Sequence, residues 1–167
     1  MIYSIARIMN KLILQRRIKI CIWIIIIGLA LSGLTAFPLE TELKIINEHL
    51  SDTNPLHDWL STIYNAIKTT NRQFPYLSYG TDWLAFAHLM IAIAFIGPLK
   101  DPVKNIWVIE FGMIACVMIF PLAFIAGAIR GIPIYWRFID CSFGIIGFVP
   151  LYYCRIAIKK LQYKGAQ

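Results

Sequence analysis

Residues 20–37 read ICIWIIIIGLALSGLTAF, an apolar stretch of 18 residues without a charge. A helix of about 20 apolar residues crosses the hydrocarbon core of a bilayer. The length favours a spanning helix over a signal peptide, although cleavage after the stretch is the alternative. The stretch therefore predicts a first transmembrane helix over residues 20–38, ended by Pro38.

Three more apolar stretches follow, over residues 81–97, 106–129 and 136–158. The connection of residues 99–104 is short, so the second and third spans are predicted to be antiparallel neighbours. Pro121 predicts a kink in the third span, and residues 130–133 predict a tight turn before the fourth. With 59% hydrophobic residues, the chain exceeds the apolar content of a typical soluble domain. We predict an all-α membrane protein with four transmembrane helices in an antiparallel bundle.

Residues 39–79 form the one long polar segment between the spans. Leu43, Ile46 and Leu50 recur at helical spacing, and a second such series begins at Trp59. We predict one or two short amphipathic helices, broken near Pro55, over the extracytoplasmic face. The aromatic residues within 74–79 predict an interfacial belt at the entry to the second span.

The net charge of +7 is concentrated beside the apolar stretches, above all in a basic segment over residues 1–19 and a basic tail over residues 159–167. This placement predicts a bacterial plasma-membrane protein with both termini in the cytoplasm. Residues 1–19 also have the composition of a helix lying on the membrane surface. Nucleic acid is excluded as a partner because no recognition motif accompanies the charge. The expected partners are membrane lipids, with a homo-oligomer or another membrane protein as further candidates.

Ionisable residues inside the apolar stretches are the candidate functional residues, because charge at membrane depth is costly. They are Asp82, His88, Glu110, Arg130, Arg137 and Asp140. The predicted topology places Asp82, both arginines and Asp140 near the outer boundary, where they would bind a ligand. It places Glu110 near the inner boundary, within reach of His88 on the neighbouring antiparallel helix. His88 and Glu110 are the candidate catalytic residues.

Each candidate also has a structural explanation. Asp82 follows Gly80 and Thr81 and could cap a helix. His88 could be satisfied by one interhelical hydrogen bond. Glu110 could extend to the inner headgroups, or pair with Lys100 or Lys104.

Arg137 and Asp140 stand three residues apart, so they could form a salt bridge that orients the fourth span. The alternative is an arginine that binds a lipid phosphate or carboxylate beside an acid. The four cysteines form no CxxC pair and are expected to pack as small apolar residues. We predict no metal site and no cofactor.

The polar residues resemble the pattern of the VanZ-like family of small bacterial membrane proteins. The resemblance rests on Asp82 and His88 in one span, Glu110 in the next, an arginine at 130 or 137, and Asp140 seven residues before Gly147 at the start of the last span. It covers residues 80–158. The family is best known for glycopeptide resistance, so the resemblance implies a role in the cell envelope at the outer membrane boundary.

The sequence thus predicts a small envelope protein that binds a lipid or polyprenyl-type headgroup, with catalysis left open. His88 would be the acid or base, and Glu110 would tune it or relay a proton. One alternative is a non-enzymatic subunit or scaffold that docks partners through small-residue stripes, at Gly28 with Ser32 and at Ala123 with Gly127. The other is a proton-coupled carrier with Glu110 and His88 as its relay.

Overall fold

The computed structural model describes residues 2–51, 53–54 and 56–165, with side chains over residues 9–163 of those ranges. The described residues are helical and contain no strand, which confirms the predicted all-α class. The helices are α1 (Ile2–Ala36), α2 (Leu39–His49), α3 (His57–Gln73), α4 (Tyr79–Ala94), α5 (Ile96–Lys100), α6 (Ile106–Pro121), α7 (Gly127–Ile129) and α8 (Ile134–Gly165). A 3-10 turn covers Pro75–Leu77, and a π-helical segment covers Leu122–Ala126.

Four helical stretches are long and apolar enough to cross a membrane: Met9–Ala36, Pro75–Lys100, Ile106–Ile129 and Ile134–Tyr163. Their number and order confirm the four predicted spans. The first lies within α1, one unbroken helix from Ile2 to Ala36 that also contains basic residues before residue 20. Neither proline nor glycine interrupts residues 2–27, so nothing in the backbone separates the basic segment from the apolar one.

The chain forms two compact units. The first, here called the core unit, contains residues 1–27 and 93–167, and the second, the hairpin unit, contains residues 28–92. Helices α6 and α8 pack as antiparallel neighbours in the core unit, and small residues allow them to approach closely. A Cβ atom at Gly144 would lie 2.7 Å from the carbonyl oxygen of Cys116, and one at Gly112 would lie 3.0 Å from Leu151 Cδ1 on α8.

The first part of α1 packs along the last part of α8. Ile18 and Ile22 of α1 are fully buried. The thiol of Cys154 on α8 donates to the Ile18 carbonyl at 3.5 Å, and the Cys21 thiol is its neighbour. The sequence predicted that all cysteines act as small packing residues, and it did not predict that two of them meet.

We expect the Cys21 and Cys154 thiols to join in an intramolecular disulfide when isolated membranes are treated with a mild oxidant, because disulfide formation requires this proximity. Non-reducing electrophoresis would show a faster-migrating monomer, and peptide mass spectrometry would identify the linked pair. Cys21→Ser should abolish the mobility shift. A shift that survives Cys21→Ser would mean that α1 does not lie against Cys154.

The hairpin unit contains α2 and α3, which confirms the prediction of amphipathic helices broken near residue 55. Two side-chain hydrogen bonds join them: Ser61 Oγ donates to Asn47 Oδ1 and Asn71 Nδ2 donates to Glu40 Oε2, each at 2.6 Å. In the same unit, the end of α1 packs on α4, where a Cβ atom at Gly33 would lie 2.8 Å from the Ala85 carbonyl oxygen. The hairpin thus connects two closely packed membrane helices.

The turn between the third and fourth spans has a defined geometry. Helix α7 ends in a Schellman motif, in which Gly131 N–H donates to the Ala128 carbonyl and Ile132 N–H donates to the Gly127 carbonyl. Gly131 has a φ of +68°, a conformation that glycine adopts without strain. The predicted tight turn is therefore confirmed. The π-helical segment begins directly after Pro121, the residue that predicted a kink.

Candidate functional site

Arg137 lies at the turn end of the core unit, which we define as the end formed by residues 130–137. Its Nε donates a 2.7 Å hydrogen bond to the carbonyl oxygen of Ile132 in the turn. Its aliphatic part lies against α7, where a Cβ atom at Gly127 would be 3.3 Å from the Arg137 Cδ and Cγ atoms. These contacts fix the guanidinium through Nε, and no hydrogen bond or ion pair with a described residue occupies the two Nη groups.

Asp140 is half-buried on α8, less than one helical turn beyond Arg137. The predicted salt bridge between them is not formed in the described structure, because the Arg137 side chain turns back toward Ile132. Within residues 9–163 as described, the Asp140 carboxylate has neither a hydrogen bond nor an ion pair. A half-buried carboxylate without a protein partner is costly beside an apolar span.

Arg130 is exposed at the C-terminal end of α7, immediately before Gly131. The three core-unit members of the predicted outer cluster, Arg130, Arg137 and Asp140, thus lie around one turn and the start of one helix. Ile132 was missed by the sequence analysis because its contribution is a backbone carbonyl, which any residue provides.

Asp82 and His88 belong to α4 in the hairpin unit. The helix begins at Tyr79, so Asp82 lies in its first turn and is not the cap that the sequence suggested. Its negative charge there is favourable to the helix dipole. His88 Nδ1 bonds to the Leu84 carbonyl at 2.8 Å, within its own helix, and not to another helix. A neutral ring that donates through Nδ1 keeps a lone pair on Nε2.

Glu110 has a partner that the sequence analysis did not name. Its Oε1 accepts a 2.8 Å hydrogen bond from Arg155 Nε, in an ion pair between α6 and α8. The suggested partners Lys100 and Lys104 are not used, and Lys104 lies 3.9 Å from Asp101. The sequence does contain a signal for Arg155 as the partner. Glu110 lies 22 residues before Ile132 and Arg155 lies 23 residues after it, so the two residues stand opposite each other on the arms of an antiparallel hairpin that turns at Ile132.

The two ends of the core unit therefore carry separate polar groups. Arg155 follows Asp140 on α8 by 15 residues, which corresponds to about 22 Å along the helix axis. Glu110 and its ion pair consequently lie too far from Arg137 and Asp140 to act on one small ligand with them.

Comparison of this chain with protein-family models, with characterised proteins and with solved structures gives no match. The resemblance to the VanZ-like family stays a prediction from the polar residues.

Proposed function

We propose that this chain is an integral membrane protein of the bacterial cell envelope that binds the anionic headgroup of a lipid or polyprenyl-type carrier at the outer membrane boundary. The observation that supports this proposal is the conformation of the Arg137 side chain. Its guanidinium is held by a hydrogen bond from Nε, and its Nη groups have no partner among the described residues. An arginine held in this way presents two parallel donors to a phosphate or carboxylate.

Asp140 and Arg130 complete the proposed site. Asp140 would accept a hydrogen bond from a hydroxyl or ammonium group of the headgroup, which would compensate for its lack of a protein partner. Exposed Arg130 would add attraction for an anion at the membrane surface. Asp82 stays a predicted ligand-binding residue, and His88 stays a predicted acid or base, with the lone pair on Nε2 as the reactive position.

Binding of a short polyprenyl phosphate to the purified protein tests this proposal, with native mass spectrometry as the readout. Arg137→Lys should weaken binding by about tenfold, because lysine keeps the charge and loses the paired donors. Arg16→Lys is the matched control, because Arg16 is exposed on α1 far from the turn end. Equal affinities of the two variants would contradict a site at Arg137.

A non-enzymatic subunit is a second candidate, supported by one observation. Gly28 is exposed and no atom would contact a Cβ placed on it, so this part of α1 is open to a neighbouring helix. The other suggested stripe is already used within the chain, because Gly127 lies against Arg137. Gly28→Leu should abolish co-purification of a partner if this candidate is correct, and it should leave polyprenyl phosphate binding unchanged.

A further inference from the structure

A groove of about 330 Å³ opens at the basic end of the core unit, the end opposite the turn. Three separate segments form it: α1 contributes Lys11 and Gln15, the connection before α6 contributes residues 100–103, and α8 contributes Leu161. Its volume is in the range of small-ligand sites. None of the polar residues assigned to the turn end lines this groove.

The charge of the groove is positive, because its single acid is already neutralised. The Asp101 carboxylate lies 3.9 Å from Lys104 Nζ and accepts a 3.1 Å hydrogen bond from the Lys104 backbone N–H. Lys11 and Lys100 are exposed and have no ion-pair partner among the described residues. Two ammonium groups without an ion-pair partner in the lining of one groove favour an anion.

Three of the remaining lining residues are apolar. Pro102, Val103 and Leu161 form an apolar wall at the end of the membrane-spanning stretches. Asn105 Nδ2 donates to the carbonyl oxygens of Gly97 and Asp101, at 3.2 and 2.9 Å, and so holds the loop between α5 and α6. Two lysines beside an apolar wall are complementary to a molecule that has a phosphate at one end and hydrocarbon at the other.

We propose that this groove binds the phosphate of an anionic phospholipid, with Lys11 and Lys100 as its ligands and the wall of Pro102, Val103 and Leu161 against the first acyl carbons. The site is independent of the proposed headgroup site at the turn end, which lies at the opposite end of α6 and α8. The lysine ammonium groups act as point charges, so they can bind the phosphate of different phospholipids whose headgroups carry a net negative charge.

The test uses the full chain, stripped of lipid in a neutral detergent and titrated with dihexanoyl phosphatidylglycerol or dihexanoyl phosphatidylcholine. Native mass spectrometry or thermal stabilisation gives the apparent Kd. We expect phosphatidylglycerol to bind at least about tenfold more tightly, since the choline cation of phosphatidylcholine would be repelled by the two lysines. Lys11→Gln with Lys100→Gln should remove this preference, and the double replacement by arginine should keep it.

The matched control is Lys19→Gln with Lys160→Gln, which removes the same charge from exposed lysines that do not line the groove. This control should keep the preference for phosphatidylglycerol. An equal loss in both glutamine variants would overturn the proposal in favour of diffuse attraction to anionic lipid. Glycerol 3-phosphate, which has a phosphate and no acyl chain, is titrated as a water-soluble comparison. If it binds as tightly as phosphatidylglycerol, the assignment to a lipid is overturned.

Discussion

Gly144→Ala should lower the free energy of unfolding by about 1–3 kcal/mol, the usual cost of inserting a methyl group into a close-packed contact. The new methyl carbon would lie 2.7 Å from the Cys116 carbonyl oxygen, which is backbone and cannot rotate away. Helices α6 and α8 would have to separate along the contact, and Gly144→Leu should separate them further. Thermal unfolding of the purified protein in detergent measures the loss.

Gly28→Ala is the matched control, because both glycines lie inside long helices and nothing would contact a Cβ at Gly28. Alanine is the better helix former by about 0.5–1 kcal/mol, so this variant should be as stable as the parent or slightly more stable. Equal stability of Gly144→Ala and Gly28→Ala would contradict the close approach of α6 and α8.

The sequence alone predicted the elements of the fold that depend on length and on backbone chemistry. Long apolar stretches predicted the four spans, and apolar residues at helical spacing predicted the amphipathic helices. Gly131 and Pro133 predicted the turn. The prediction treated the basic residues of 1–19 as a segment separate from the first span. In α1 they occupy turns of the same continuous helix.

The partners of the polar residues were harder to predict than the helices. Apart from Glu110, helix α6 is apolar on all faces, as is usual for a helix surrounded by lipid and by other helices, so its apolar residues do not show which face meets α8. The partner of Glu110 depends on that rotation. Arg137 could donate to either of two acceptors, the Asp140 carboxylate or a carbonyl of the turn. In the structure it donates to the Ile132 carbonyl.

The second large effect is expected at the ion pair between Glu110 and Arg155. Arg155→Met should lower the free energy of unfolding by about 1–3 kcal/mol, because it leaves Glu110 charged and unpaired beside apolar helices. The two side chains are 42% and 33% exposed, so the effect should fall short of that for a fully buried pair. Unfolding of the purified protein in mixed detergent micelles measures it.

A double-mutant cycle separates the pair from its surroundings. Glu110→Gln combined with Arg155→Met removes both charges, and it should restore most of the stability lost in Arg155→Met, because no charge is left without a partner. Strictly additive losses would contradict a direct interaction between the two residues.

The same double variant separates the structural role of Glu110 from its predicted role as a proton relay. If the pair only joins α6 to α8, the double variant should bind polyprenyl phosphate as well as the parent, because the pair lies about 22 Å along α8 from Asp140. If Glu110 relays protons to His88, the stable double variant should lose pH-dependent transport in proteoliposomes. We expect unchanged binding, since the Glu110 carboxylate is bonded to Arg155 at 2.8 Å and joins α6 to α8 at the end opposite the proposed site.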